Sequence, residues 1–471
     1  MVVEQIYTGC LAQGAYYIES NGEAAIIDPL REVKPYIDRA NKSCSKIKYV
    51  LETHFHADFV SGHLDLAQKT GATIVFGPTA KPGFEAMIAV DDQEMKLGNV
   101  VIKVLHTPGH TMESASFLLI DEKGKMHSLF SGDTLFIGDV GRPDLAQKAA
   151  NLSQEELAGL LYDSLRNKIM VLPDDVIVYP GHGAGSACGK MMSKETQDLL
   201  GNQKKNNYAL RHDMSKEQFV IEVLAGLMPP PSYFPLNVMM NKQGYESFDA
   251  IMQRGQRGLT PDVFEAIANE TQALIIDTRN AQDFAKGFIP NTINIGIDGS
   301  FAPWAGALIP DVKQEILIVT ELGREEEVIT RLARVGFDHC IGYLDGGFNS
   351  WKKAGKEINF ITSLTADEVA AVMQNEPIFI LDVRKKSEFD SEHIIKAISA
   401  PLDYINESMM KVDKNKTYFV HCAGGYRSMI FVSILKARGY DNLIEVNGGF
   451  KAMKDSGKFN LTDYVCPTTL L

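Results

Sequence analysis

The 471-residue chain has no CxxC pair; its six cysteines, Cys10, Cys44, Cys188, Cys340, Cys422 and Cys466, are scattered. That spacing is not a disulfide framework and fits free thiols in a reducing cytoplasm. Positive charge is short: 47 Lys and Arg against 60 Asp and Glu leave a net charge of −13. The balance argues against nucleic acid and against anionic membrane surfaces as partners. No apolar run is long enough to span a bilayer. The start, Met1-Val2-Val3-Glu4-Gln5-Ile6, lacks the basic and apolar regions of a secretion signal. A cytoplasmic protein is the expectation. What is present is ordinary: an apolar fraction of 45% supports sizeable cores. The length predicts roughly three domains of about 150 residues each.

The most informative stretch is Thr53-His54-Phe55-His56-Ala57-Asp58-Phe59. It follows Ile47-Lys48-Tyr49-Val50-Leu51, an apolar, β-branched run that reads as a buried strand. Side chains alternate in extended chain, so His54, His56 and Asp58 point one way. Imidazole with carboxylate suits a first-row transition metal. Three further strand ends repeat the theme. Residues 100–105 run into Pro108-Gly109-His110, residues 129–131 into Gly132-Asp133, and residues 176–179 into Pro180-Gly181-His182. Ligands delivered from several strand ends at one sheet edge build a metal site on an α/β scaffold.

This T-H-x-H-x-D signature, with His110, Asp133 and His182 downstream, resembles the metallo-β-lactamase fold over residues 1–250. The resemblance implies a four-layer αββα sandwich with metal at one edge. In dinuclear members the second metal uses the residue after the aspartate, which is Phe59 here. One metal per chain is therefore expected. The domain further resembles persulfide dioxygenases, which implies Fe(II) on His54, His110 and Asp133, a two-histidine, one-carboxylate face with open positions. His56, Asp58 and His182 then hold those ligands and their waters. Ligand type alone leaves Zn open. Thiol-binding relatives imply a substrate-carboxylate role for Arg142; the alternative is a surface arginine. Cys188, near His182 and Lys190, reads either as a partly ionised sulfur carrier or as a small buried residue. Ser215-Lys216-Glu217-Gln218 reads as a capping box opening a helix over 219–227. Residues 229–235, rich in proline, read as a linker or as a rigid loop at the site mouth.

From residue 256 the chain repeats itself. Asp277-Thr278-Arg279 recurs as Asp382-Val383-Arg384, and Gly346-Gly347-Phe348 as Gly448-Gly449-Phe450. Each copy reads as alternating strand and helix, hence a mostly parallel sheet. Both resemble rhodanese domains, at 256–358 and 362–471, with a linker near 356–365. In the last copy a buried strand runs into Cys422-Ala423-Gly424-Gly425-Tyr426-Arg427. Loop amides, a helix dipole and Arg427 favour a thiolate there. Ala423, Gly424, Gly425 and Tyr426 would cradle substrate. Related phosphatases use a loop one residue longer, so the shorter loop suits a sulfane sulfur carried on Cys422. The middle copy has Glu321-Leu322-Gly323-Arg324 at the equivalent place, has no cysteine there, and reads as inactive.

The fold expected is α/β throughout, a metallo-β-lactamase sandwich followed by two rhodanese domains. The resemblance to fused persulfide dioxygenase–rhodanese proteins implies oxidation of a low-molecular-weight persulfide by O2 to sulfite and thiol. Cys422 would form or use thiosulfate. Joining both on one chain raises the effective concentration of a shared intermediate, and a homo-oligomer is expected. The alternatives are a zinc thioester hydrolase of the glyoxalase II type with a sulfurtransferase appendage, and a sulfur-carrier scaffold with a vestigial oxygenase.

Overall fold

The computed structural model describes residues 1–147 and 151–466; the last five residues of the 362–471 segment lie outside them. Contacts divide the chain into two compact units. One is Met1–Phe248 with Ala333–Gly336, the other Asp249–Leu332 with Phe337–Leu471.

The first unit holds two six-stranded sheets. Strands β1 (Val2–Thr8), β2 (Gln13–Ser20), β3 (Glu23–Ile27), β4 (Lys46–Glu52), β5 (Thr73–Phe76) and β6 (Met87–Ile88) lie in sequence order. Strands β2 and β3 pair antiparallel as a hairpin that turns at residues 20–23. The second sheet runs β12 (Asp198–Leu199), β11 (Ile177–Pro180), β10 (Met126–Gly132), β9 (Ala115–Ile120), β8 (Val100–His106), β7 (Glu94–Leu97).

Period-two alternation explains the layering. On β2 and β3, Tyr16, Ile18, Ala25 and Ile27 share one core with Ile102, Val104, Phe117 and Phe130 of the opposite sheet. Their neighbours Ala15, Tyr17, Ala24 and Ile26 instead pack with Tyr36, Ala40 and Leu66, which come from the helices Lys34–Lys42 and His63–Thr70. The outer face of the second sheet, including Leu118 and Leu129, meets Ala158 and Leu161 of the helix Gln154–Ser164 and Phe219 of Lys216–Leu224. The result is the αββα order. Ser215 caps the last of these helices and Gln218 reaches back, as the capping box predicts, though the helix ends at Leu224, earlier than residue 227.

The second unit contains two five-stranded, all-parallel sheets. The first has the order β13 (Gly258–Leu259), β17 (Cys340–Leu344), β16 (Ile316–Val319), β14 (Leu274–Asp277), β15 (Ile293–Asn294). The second has the order β18 (Ser363–Thr365), β22 (Leu443–Asn447), β21 (Tyr418–His421), β19 (Phe379–Asp382), β20 (Ile398–Ser399). The residues expected to link the copies are not a free connection. Asn359 pairs with Phe288 as an isolated β-bridge, and the Ile361 amide donates to the Ala285 carbonyl.

The repeated sequence signature has a physical basis. In the middle copy Arg279 grips Asp277 through Nε and Nη2 and lies 4.1 Å from the centre of the Phe348 ring. In the last copy Arg384 grips Asp382 in the same way, 3.9 Å from the Phe450 ring. Aspartate, arginine and the phenylalanine after Gly-Gly form one sandwich that ties a strand end to a helix start. Asp382 is 0% exposed. Removing its partner strands a buried charge, so Arg384→Ala should lower stability by about 3 kcal/mol in denaturant unfolding. Arg384→Lys should recover only part of that loss, because an ammonium cannot reproduce the planar fork.

Candidate metal centre and cysteine loop

Three side chains converge at one edge of the first unit. His54 follows β4, His110 follows β8, and Asp133 follows β10. His54 Nε2 lies 3.9 Å and His110 Nε2 3.6 Å from Asp133 Oδ2. All three residues are buried, and their ligand atoms fall within 4.8 Å of one another. Asp133 Oδ2 is buried with no hydrogen-bond partner, an expensive state for a carboxylate oxygen unless a cation meets it. That orphaned oxygen between two imidazole nitrogens fits a metal ion.

The hydrogen bonds behind the ligands fix their tautomers. Thr53 Oγ1 donates to Asp28 Oδ2 at 2.8 Å and meets His54 Nδ1 at 3.0 Å. The Thr53 amide donates to the other Asp28 oxygen. His54 Nδ1 therefore carries the proton, and its Nε2 lone pair faces the site. His110 Nδ1 donates to the Arg142 carbonyl at 2.8 Å, with the same effect. Burial and the neighbouring His56 hold His54 well below the usual histidine range, in the neutral form a ligand needs. Gly181 is required beside this cluster, since a Cβ there would lie 2.5 Å from Asp133 Oδ1.

Asp28 was not singled out in the sequence, where its signal was Asp28-Pro29 at a strand end, and Thr53 stood only as the first residue of the T-H-x-H-x-D signature. Asn241, on the helix Phe234–Gln243, was also missed. Its amide donates to the His56 and Phe59 carbonyls, and its oxygen accepts from the Ser61 amide. It clamps the ligand loop from a point 180 residues away.

The other expected residues sort into two groups. His56 turns its Nε2 to Asp28 Oδ1 at 3.1 Å and Glu52 Oε2 at 3.6 Å. Burial opposes its charged form, but Asp28 and Glu52 outweigh that and raise it to about 9. His182 lies between Asp133 Oδ1, 2.8 Å from Nδ1, and Asp58 Oδ2, 2.7 Å from Nε2. Burial again opposes charge, and the two carboxylates still lift His182 well above its ordinary value. Phe59 is 0% exposed and packs on the His56 ring at 4.3 Å. Asp58, His182 and Cys188 form a second buried group with ligand atoms within 4.8 Å of one another.

Two expectations are corrected. Arg142 offers no fork to a substrate carboxylate. It is 4% exposed, Nε and Nη2 grip Asp144, Nη1 donates to the Ala187 carbonyl, and Nη2 also donates to the Met228 carbonyl. It pins three loops together. Cys188 is not activated by Lys190, whose ammonium donates to the Glu222 and Ala225 carbonyls. Burial, with Asp58 and Asp133, pushes the Cys188 thiol well above its usual range. The segment before Phe234 does reach the site: Tyr233 is buried and is raised by burial and by Asp58 and Cys188.

In the second unit β21 ends at His421, and Cys422 opens the loop into the helix Tyr426–Ala437. The Gly425 amide donates to Cys422 Sγ at 3.2 Å, and Ser428 Oγ lies 3.6 Å from it. Gly425 adopts a φ of 105°, which aims that amide inward. Arg427 forms a two-point pair with Glu388 at 2.6 and 2.9 Å, so its charge is shared. Gly424, Gly425 and Tyr426 line a pocket of about 290 Å³ with Asn280, Gln282 and Asp298 of the middle copy. Ala423 is exposed beside it.

Comparison with known proteins agrees with this geometry. The model of the metallo-beta-lactamase superfamily matches residues 8–182, and that of the rhodanese-like domain matches 260–354 and 365–456. A hydroxyacylglutathione hydrolase of Pelagibacter ubique is 31% identical over 40% of this chain and 74% of its own. The chain belongs to the metallo-β-lactamase superfamily. It carries two rhodanese domains after that fold. A metallo-beta-lactamase of Staphylococcus aureus is 32% identical, with a TM-score of 0.63, over 73% of this chain and 98% of that one. The human persulfide dioxygenase ETHE1 is 32% identical over 34% of this chain and 59% of its own. A probable hydroxyacylglutathione hydrolase of Schizosaccharomyces pombe is 30% identical over 38% of this chain. The match spans 66% of that relative's length, a little under two thirds. No helix among the described residues is long and apolar enough to cross a membrane.

Thr53→Val removes the hydroxyl between Asp28 and His54 while keeping the shape. Metal affinity should fall about 10- to 100-fold in competition titrations with a chelator. Asp133→Asn should bring the bound metal per chain close to zero by elemental analysis, and metal added to the wild-type apoprotein should raise its Tm.

Proposed function

We propose that residues 1–250 form a non-haem Fe(II) persulfide dioxygenase and residues 362–471 a sulfurtransferase, with the inactive copy at 256–358 between them. The substrate is a low-molecular-weight persulfide, whose terminal sulfur is oxidised with O2 and water to sulfite while the thiol is released. The carrying observation is Phe59. A buried phenyl ring stands where a second metal would need an imidazole. His182 is held between Asp58 and Asp133, whose carboxylates favour its charged form. One Fe(II) on His54, His110 and Asp133 would leave positions open to dioxygen and to a persulfide sulfur.

The protein's own contribution is to bury the ligands, exclude water and fix both imidazole tautomers. Burial leaves the Cys188 thiol protonated, so we assign it to the wall of the site. In the last copy the Cys422 thiolate attacks the sulfane sulfur of a persulfide, whose S–S bond breaks to release the thiol, and carries that sulfur as its own persulfide. Sulfite then accepts that sulfur to give thiosulfate, and Cys422 leaves as the thiolate; the reverse direction uses thiosulfate. The Gly425 amide supports the negative sulfur in either direction.

A second reading, a zinc thioester hydrolase of the glyoxalase II type, is favoured by the relatives named hydroxyacylglutathione hydrolase. The Asp58, His182, Cys188 group also offers a second ligand set.

An oxygen electrode with glutathione persulfide separates the two readings. The iron-loaded wild type should consume O2 and release sulfite, and His110→Ala should lower the rate at least 100-fold. Cys422→Ser should keep O2 uptake and lose thiosulfate formation. Two zinc ions per chain, with hydrolysis of a glutathione thioester and no O2 uptake, would overturn the dioxygenase reading.

A further inference from the structure

Glu445 is a carboxylate in a place that ordinarily takes an aliphatic residue. It sits on β22, whose neighbours Leu443 and Val446 are apolar, and it is 0% exposed. Its contacts are all neutral. Oε1 lies 3.0 Å from Ser428 Oγ, while Oε2 lies 2.7 Å from Ser363 Oγ and 3.1 Å from Gln282 Nε2. A buried carboxylate without a cation is costly in its charged form. Burial accordingly raises Glu445 above the usual carboxyl range, against the pull of Ser363, Gln282 and Ser428.

The same Ser428 hydroxyl faces the nucleophile, with Oγ 3.6 Å from Cys422 Sγ. A serine has one hydrogen to give, and it stands between a carboxyl and a sulfur. Gln282 Nε2 donates to Oε2, and Ser363 Oγ also lies 3.0 Å from Gln282 Oε1. Protonated Glu445 presents Ser428 with either an O–H or a neutral carbonyl oxygen, and either leaves the serine hydrogen free to be given to sulfur. Ionised Glu445 takes the serine hydrogen for itself, because a charged acceptor is the stronger one. Ser428 then presents only lone pairs to Cys422.

We propose that Glu445 is a positioning residue for sulfur transfer: while it carries a proton, Ser428 gives the Cys422 sulfur anion a second hydrogen bond beside the Gly425 amide, and losing that proton withdraws it. This rests on Cys422 being the sulfur carrier. The middle copy takes part, because its Gln282 donates to Glu445 Oε2. The elements around Glu445 bring few other ionisable groups. From β21 and its end come Tyr418, whose hydroxyl accepts from the Asp413 amide, and His421, 3.8 Å from Asp382. From the helix Tyr426–Ala437 come Tyr426, bonded to the Gly296 carbonyl, Arg427 on Glu388 and Lys436 on Asp441. From the helix Ala281–Ala285 comes Asp283, paired with Lys286.

The test is the pH profile of sulfur transfer from thiosulfate to cyanide by the full chain, for wild type, Glu445→Gln, Ser428→Ala and the double variant. The wild-type rate should fall about tenfold on an alkaline limb, the size expected for one hydrogen bond to a charged group. Glu445→Gln, whose amide donates to Ser428 at every pH, should abolish that limb and keep the rate below it. Ser428→Ala should be about tenfold slow throughout and lack the limb, and adding Glu445→Gln to it should change nothing further. Thermal unfolding identifies any variant that fails to fold. In that event the pH dependence of wild-type Cys422 as a leaving group, read from persulfide release to sulfite, must show the same limb. A limb unchanged in Glu445→Gln, with Cys422→Ser inactive, overturns the role of Glu445 alone. Full activity in Cys422→Ser overturns it together with the carrier assignment.

Discussion

The metal edge of the first unit depends on one buried carboxylate. Asp133 turns Oδ1 to His182 and leaves Oδ2 bare between His54 and His110. A buried charge demands compensation, and the surroundings divide the work. His182 offsets one side and a cation belongs on the other. The supports follow from that need: Gly181 makes room, Thr53 and the Arg142 carbonyl orient the imidazoles, and Asn241 clamps the loop. Losing Thr53 or Asn241 leaves buried polar groups without partners, and a side chain at 181 would press on Asp133 Oδ1.

The rhodanese copies meet a related constraint in another way. Around Cys422 Sγ the loop places an amide and a hydroxyl, those of Gly425 and Ser428, more than full charges. Arg427 is held by Glu388. Positive charge near Cys422 is thereby moderated. The middle copy contributes Gln282 and Asp298 to the pocket walls beside the Cys422 loop.

Where reading by residue type failed, the cause was the partner. Arg142 has the chemistry of a carboxylate binder, yet Asp144 and two carbonyls occupy it. Lys190 follows Cys188 closely in sequence, yet its side chain is anchored by carbonyls of residues 222 and 225. Side chains choose partners by distance in space, and a motif reports only distance along the chain.

The sequence by itself determined the layered fold, the duplication and the metal-capable residues. Alternating apolar residues dictate which strand face is buried, and His54, His110 and Asp133 each follow a strand that must end at the same edge. The paired Asp-x-Arg and Gly-Gly-Phe signatures are equally local, and they became one Asp–Arg–Phe sandwich in each copy. Only the tertiary structure decided which imidazoles face the site and which face carboxylates, as His56 does toward Asp28 and Glu52. It alone brought Asp28 and Asn241 to the ligand loop and Glu445 to the cysteine loop. The reason is desolvation: what a polar side chain does once buried depends on the few groups that packing leaves beside it, and those come from distant parts of the chain.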